Sequence, residues 1–217
     1  MPIGIGKTTA GRAGNVPQVN ITGYTRQVQK RLFYSRREQA LILEKTVKGG
    51  FGFLEMGQVM TQVYKDGTLV EDFIVPYGAN GQVVLAADAA ASQKNITVSA
   101  EDVVKFAAGD HIVVNDSGTT AENHEIVSIA GNVITVKANL TGTFEVSADA
   151  YIEHRRDGNY YILDQDIDTG VETQEEGALG SVVYSNAVLY KDAVIGMDST
   201  VLADLNGKED GVFYIIR

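Results

Sequence analysis

The acidic run DQDIDTGVETQEE, residues 164–176, carries the densest set of metal-ligating oxygens in the chain. Asp164, Asp166, Asp168 and Glu175 fall at positions 1, 3, 5 and 12 of a calcium-loop pattern, the spacing that wraps carboxylates around a hard cation. The sixth position of that loop calls for glycine and holds Thr169, with the glycine one later at Gly170. No helix is expected on either side. Alternating carboxylates also suit one face of a strand running into a loop, so a solvated acidic rim is the ordinary reading. Histidine is scarce: His111, His124 and His154. All three fall in or beside expected strands, without the H-x-H or H-E-x-x-H spacing of a metal site. Ser117 and Ser185 lack the G-x-S-x-G frame of a hydrolase nucleophile. Gly6-Lys7-Thr8 spells the end of a phosphate-binding loop. Met1 stands where its first glycine belongs, and the glycine-rich residues 10–15 are a poor helix start.

Basic residues form a second candidate. Arg26, Lys30, Arg31, Arg36 and Arg37 are interleaved with Tyr24, Phe33 and Tyr34, a composition that suits nucleic acid. The rest of the chain argues against it. Residues 1–50 hold nine Lys/Arg against two Asp/Glu, whereas residues 51–217 hold nine against 26. The acidic body would repel the polyanion its arm attracts. A basic arm docking on an acidic protein surface, including a neighbouring copy, fits both halves.

The elements that position these residues read as β. The chain has 217 residues, no cysteine, no tryptophan and three prolines, which excludes disulfides and thiolate metal sites. It holds no apolar run of membrane-spanning length, and its N-terminus lacks a signal-peptide core. A soluble protein made in a cytoplasm is expected. Residues 1–23 are small and polar and read as extended or disordered on their own. Between residues 36 and 45 the pattern allows a short helix or an extended segment, and Gly49-Gly50 ends it. From Phe51 onward, alternation dominates. GQVMTQVYKDGTLVEDFIV contains a hairpin signal at Asp66-Gly67. Residues 82–155 read as a unit of short strands at 96–98, 111–115, 124–129, 132–137 and 150–154, with a capped helical turn from Ser99 to Phe106 and a turn at Gly109-Asp110. Residues 156–217 return to longer strands, with a turn at 208–211.

Two stretches together resemble a known family. EMGQVMTQVYKDGTLVEDFIVPY (55–77) resembles the opening hairpin of bacteriophage head decoration proteins of the lambda gpD type. YYILDQDIDTGVETQEEGALGSVVYSNAVLYKDAVIG (160–196) resembles their later half. FAAGDHIVVNDSG and IAGNVITVKANLTGTF, between them, are similar to small β-barrel modules of phage structural proteins. The resemblance implies a mainly β fold. A β-tulip decoration domain (51–79 plus 156–217) would carry an extended basic N-terminal arm (1–50) and an inserted small β-barrel (80–155).

It also implies a capsid cement protein on the outer surface of the expanded head. Such a protein performs no chemistry and holds no cofactor or metal. Its partners would be the phage major capsid protein and itself, as a homotrimer at threefold and quasi-threefold positions, with no membrane and no direct nucleic acid. It would clamp adjacent subunits against internal DNA pressure, with the arm adding a strand to the capsid protein. Ordering an arm costs about 1–2 kcal/mol per residue, so it needs anchors. Leu32, Phe33, Tyr34, Leu41, Ile42 and Leu43 are the expected apolar ones. Arg31, Arg36 and Arg37 are expected to steer and pair with capsid carboxylates. Two other readings stay open: another virion structural protein (head fibre base, neck or tail tube), expected as a ring, and a carbohydrate- or metal-binding enzyme-like β domain, expected to have a concave pocket of converging acids.

Overall fold

Two alternating runs meet at Asp66-Gly67, where φ is +50° and +76°, the left-handed pair that a two-residue hairpin turn needs. The computed structural model describes residues 32–34, 37, 40–118, 121–156, 158–170, 177–208 and 214–216, with the backbone alone for 71, 72 and 214–216. In chain order the first strands are β1 Leu41–Val47, β2 Phe53–Leu54, β3 Val59–Lys65, β4 Thr68–Pro76, β5 Val83–Val84, β6 Asn95–Thr97, β7 His111–Asn115 and β8 Glu122–Ala130. Then come β9 Val133–Val136, β10 Tyr151–His154, β11 Tyr160–Leu163, β12 Ile167–Asp168, β13 Ala178–Ser185, β14 Val188–Tyr190, the helix α1 Ser199–Gly207 and β15 Tyr214–Ile216. The fold is mainly β.

Five strands close into a barrel in the order β1-β13-β11-β3-β4. The closing seam is parallel and short: Thr46 pairs with Phe73 and Val47 with Ile74. A bulge makes that closure possible. Gln62 pairs with Ile74, but its neighbour Val63 pairs with Val70, so β4 bows away from β3 and Phe73 reaches β1. Alternate residues of β3, β11 and β13 feed two cores. Met60, Tyr161, Leu163 and Val182 belong to one, and Val59, Tyr160, Ile162 and Val183 to the other. Burial on both faces explains why β11 reads YYIL with no polar position. The second core is covered by Leu32, by Leu189 of β14 and by Val201 and Leu205 of α1. Asp198 caps α1, its Oδ1 accepting from the Val201 N–H at 2.9 Å, the usual N-cap arrangement.

The middle of the chain builds its own sheet, in the order β5-β10-β7-β8-β9-β6, with antiparallel neighbours throughout. It curls around a core led by Phe106, Phe144, Ile112, Ile134 and Ile152, and every buried residue of that core lies between Val83 and Ile152. The expected helical turn is one 3₁₀ turn, Val103–Lys105, started by Ser99, whose Oγ accepts from the Asp102 N–H at 3.0 Å.

The start of the body differs from the sequence reading. An arm of 1–50 includes β1, yet β1 is a barrel strand paired along its whole length with β13. The chain joins the body by Leu32, which is 2% exposed. The nine-residue helix α1 is a further difference, since the sequence pattern predicts strands over 156–217.

Candidate functional site

The expected apolar partner-contact residues divide into three groups. Leu32 lies in the barrel's second core beside Leu189, and Phe33 packs against the same cluster. Phe33 bridges Leu189, the Tyr34 N–H donates to the Val188 carbonyl at 2.8 Å, and the Tyr190 N–H donates to the Leu32 carbonyl at 3.0 Å. This stretch therefore pairs with the edge of β14, and Leu32 serves its own chain's core rather than a partner's pocket. Tyr34 and Leu41 are exposed; the Tyr34 ring meets Tyr190 edge-on at 5.6 Å. Ile42 and Leu43 are half-buried, with Leu43 against the first barrel core.

Arg37 has a partner inside the chain. Its Nε donates to Asp164 Oδ2 at 2.8 Å and its Nη2 contacts the same oxygen. The Arg37 side chain is 56% exposed and that of Asp164 2%, so the guanidinium satisfies a buried carboxylate. Arg31 and Arg36 lie outside the described residues.

The calcium pattern is not gathered. Asp164 turns to Arg37, Asp166 Oδ1 accepts from the Met56 N–H at 2.7 Å, and Asp168 Oδ1 accepts from the Gly170 N–H at 3.0 Å. The cause is local: residues 167 and 168 are extended and pair with β2, so the chain does not curl around a centre. Glu175 lies outside the described residues. Among the described residues, no group of three or more His, Asp or Glu is placed to hold a metal ion.

The histidines do not converge either. His111 Nε2 accepts from the Gly67 N–H at 2.9 Å. His124 Nε2 sits 3.0 Å from Glu122 Oε2. Burial opposes ionisation of Glu122, but hydrogen bonds from the Thr141 hydroxyl and N–H, from His124 and from the Gly142 N–H outweigh it and hold its carboxyl at about 2. Glu122 thereby pins the loop at 141–142 to β8.

A buried polar group lies where barrel and inserted sheet meet. Lys48 follows β1, and Asp110 precedes β7. Their side chains are in direct contact and almost wholly buried. Asp110 Oδ2 also accepts from the Ala107 N–H at 2.7 Å. His154, at the end of β10, is stacked on Phe106 with ring centroids 4.8 Å apart and tilted against Phe51 at 6.2 Å. Burial, and then the Lys48 charge, push its imidazole down to about 4, against a weaker upward pull from Asp110. Nothing in the local pattern marks Lys48 and Asp110 as partners, because 62 residues separate them.

A second polar cluster braces the same junction. The Arg156 guanidinium lies 4.5 Å from the centre of the Tyr77 ring and contacts Glu153, while the Tyr77 hydroxyl donates to Asp198 Oδ2. The cleft lined by Thr61, Tyr77, Glu153, His154 and Arg156 encloses about 10 Å³, room for one water and not for a substrate. Elsewhere, Lys208 lies over the Tyr184 and Tyr161 rings at 4.2 and 4.9 Å. Burial lowers its ammonium to about 8 despite the Asp204 carboxylate nearby.

No protein-family model matches the chain, and no curated protein matches it. Among solved structures it is similar in part to the Gp54 tailspike of Acinetobacter baumannii bacteriophage AP22, solved in complex with A. baumannii capsular saccharide. That likeness covers 32% of this chain and 13% of the tailspike chain, at 20% identity and a TM-score of 0.30. It carries no argument about function. Among the described residues, no helix is long and apolar enough to cross a membrane.

Proposed function

We propose that this protein is a phage capsid decoration protein, a homotrimer that binds the outside of the expanded head and clamps adjacent capsid subunits. The observation that carries the reading is the opposition of charge within one chain: five basic and no acidic residues up to 31, 13 basic against 28 acidic beyond. Such a chain is built to lay its basic leader on an acidic surface. The barrel edge supports a partner contact of its own. Among the described residues, 41–44 of β1 pair only with β13, and pairing with β4 starts at Thr46. That edge offers backbone groups for strand addition by a partner, beside the exposed Leu41.

Co-sedimentation with the expanded, undecorated heads of its phage tests the reading. Because the body starts at Leu32, the truncation to compare removes residues 1–31. Full-length protein pelleting while the truncation stays in solution supports a leader that anchors the clamp. If both pellet equally, the body alone makes the contact and the role given to the leader fails. If neither pellets, the decoration reading fails and a fibre, neck or tail role takes its place. Light scattering in solution is expected to give a trimer; a hexameric ring favours the tail reading.

A further inference from the structure

The buried contact between Lys48 and Asp110 has the chemistry of a bond waiting to form. The barrel fixes Lys48, whose N–H donates to the Ile74 carbonyl at 3.0 Å, and the inserted sheet fixes Asp110, whose carbonyl accepts from the Ile126 N–H at 2.8 Å. Their side chains are 5% and 2% exposed, with Phe51, Phe106 and the His154 ring close by. The pair is withdrawn from water, so no solvent competes for the carboxyl carbon. The amine is held against the carboxyl in one fixed orientation, an arrangement that raises effective concentration by orders of magnitude. The Ala107 N–H, 2.7 Å from Oδ2, holds the carboxyl in that orientation.

His154 completes the set. Its Nε2 lies 3.0 Å from the Lys105 carbonyl, which only accepts, so the ring proton sits on Nε2. That leaves the Nδ1 lone pair facing Asp110 Oδ2 at 4.0 Å, in a side chain 1% exposed and without a hydrogen-bond partner on that atom. A buried base with nothing to accept from, aimed at the Lys48–Asp110 contact, is placed as a proton relay.

We propose that Lys48 Nζ and Asp110 Cγ join in an intramolecular amide, a covalent staple between the barrel and the inserted sheet. The balance is closed without any co-reactant. One ammonium proton passes to the carboxylate, the Nζ lone pair attacks Cγ, the Cγ–O bond to the protonated oxygen breaks, and a second Nζ proton, relayed by His154, leaves with that oxygen as water. The link closes a covalent loop from Lys48 to Asp110, so tension on the inserted sheet passes into the barrel through a bond rather than through side-chain packing. The inference stands independently of the capsid reading.

Intact-mass spectrometry of the full chain tests it. The wild-type protein is expected to fall short of its sequence mass by one water. Trypsin is expected to leave Lys48 uncut and joined to the peptide that contains Asp110. Lys48→Met restores the full sequence mass. Asp110→Asn still closes, losing ammonia instead of water, and His154→Leu lowers the closed fraction in a chain that remains folded by circular dichroism. A wild-type protein at full sequence mass overturns the proposal, whether or not the variants fold. So does a water loss that maps to an Asp-Gly pair such as Asp66-Gly67, where succinimide closure gives the same mass.

Discussion

His154 makes the stability of the fold depend on pH. Its folded value is pushed down from 6.5 to about 4 by burial, so the unfolded chain binds the proton first. The stabilisation is complete above pH 6.5 and is lost as pH falls from 6.5 toward 4. Denaturant titrations are expected to show about 2 kcal/mol less stability at pH 5 than at pH 7.5, and His154→Leu is expected to flatten that slope. Arg37 is the second informative residue. If its work is to neutralise buried Asp164, Arg37→Ala lowers stability by about 1–3 kcal/mol, with Arg37→Lys in between. An Arg37 that acts only on a partner surface leaves the melting temperature unchanged, and a thermal melt distinguishes the two.

Among the elements, the glycines separate turn geometry from close packing. Gly67 has φ +76° with nothing within 4 Å of an added Cβ, whereas at Gly57, φ +93°, that Cβ would sit 2.0 Å from the Ala193 carbonyl oxygen. Gly67→Ala is therefore expected to cost only the backbone strain, about 1 kcal/mol. Gly57→Ala must also push the 193–194 segment away from β3, and a loss above about 3 kcal/mol is expected. Chemical denaturation of the two variants side by side checks the ordering. The Asp66-Gly67 turn was legible because a hairpin turn is specified by the residues in it. Helix α1 was not: its buried residues are only Val201 and Leu205, one i,i+4 pair, and its face becomes apolar in effect only when the barrel core is there to receive it.

At the scale of the molecule, three cores share one chain, two fed by the barrel and one by the inserted sheet. The first and last strands of the inserted sheet pair with each other, Val83 opposite Ile152, so the chain leaves and re-enters the barrel about 5 Å apart. A short glycine–serine linker in place of residues 84–151, with Lys48→Met to remove the cation left without Asp110, is expected to yield a barrel that still unfolds cooperatively. Circular dichroism during heating reads the result. Loss of the β signal would mean that the inserted sheet is part of the barrel's folding unit.

The β character, the hairpin at 66–67 and the strand at 111–115 were determined by the sequence itself, as was the strand expected at 150–154, which the structure starts at Tyr151. Alternation and turn residues act over a few positions and do not depend on what the strand later meets. Only the tertiary structure decided that 41–47 close a barrel rather than extend an arm. The pattern LILEKTV serves either state, and the partner strands β13 and β4 settle which. The same holds for the chemistry. Arg37 reaches Asp164 across 127 positions and Lys48 reaches Asp110 across 62, and no local spacing encodes a contact that barrel closure brings about. The three aspartates of the calcium pattern show the converse: their spacing is right, but the extended backbone at 167 and 168 directs each oxygen to a different partner.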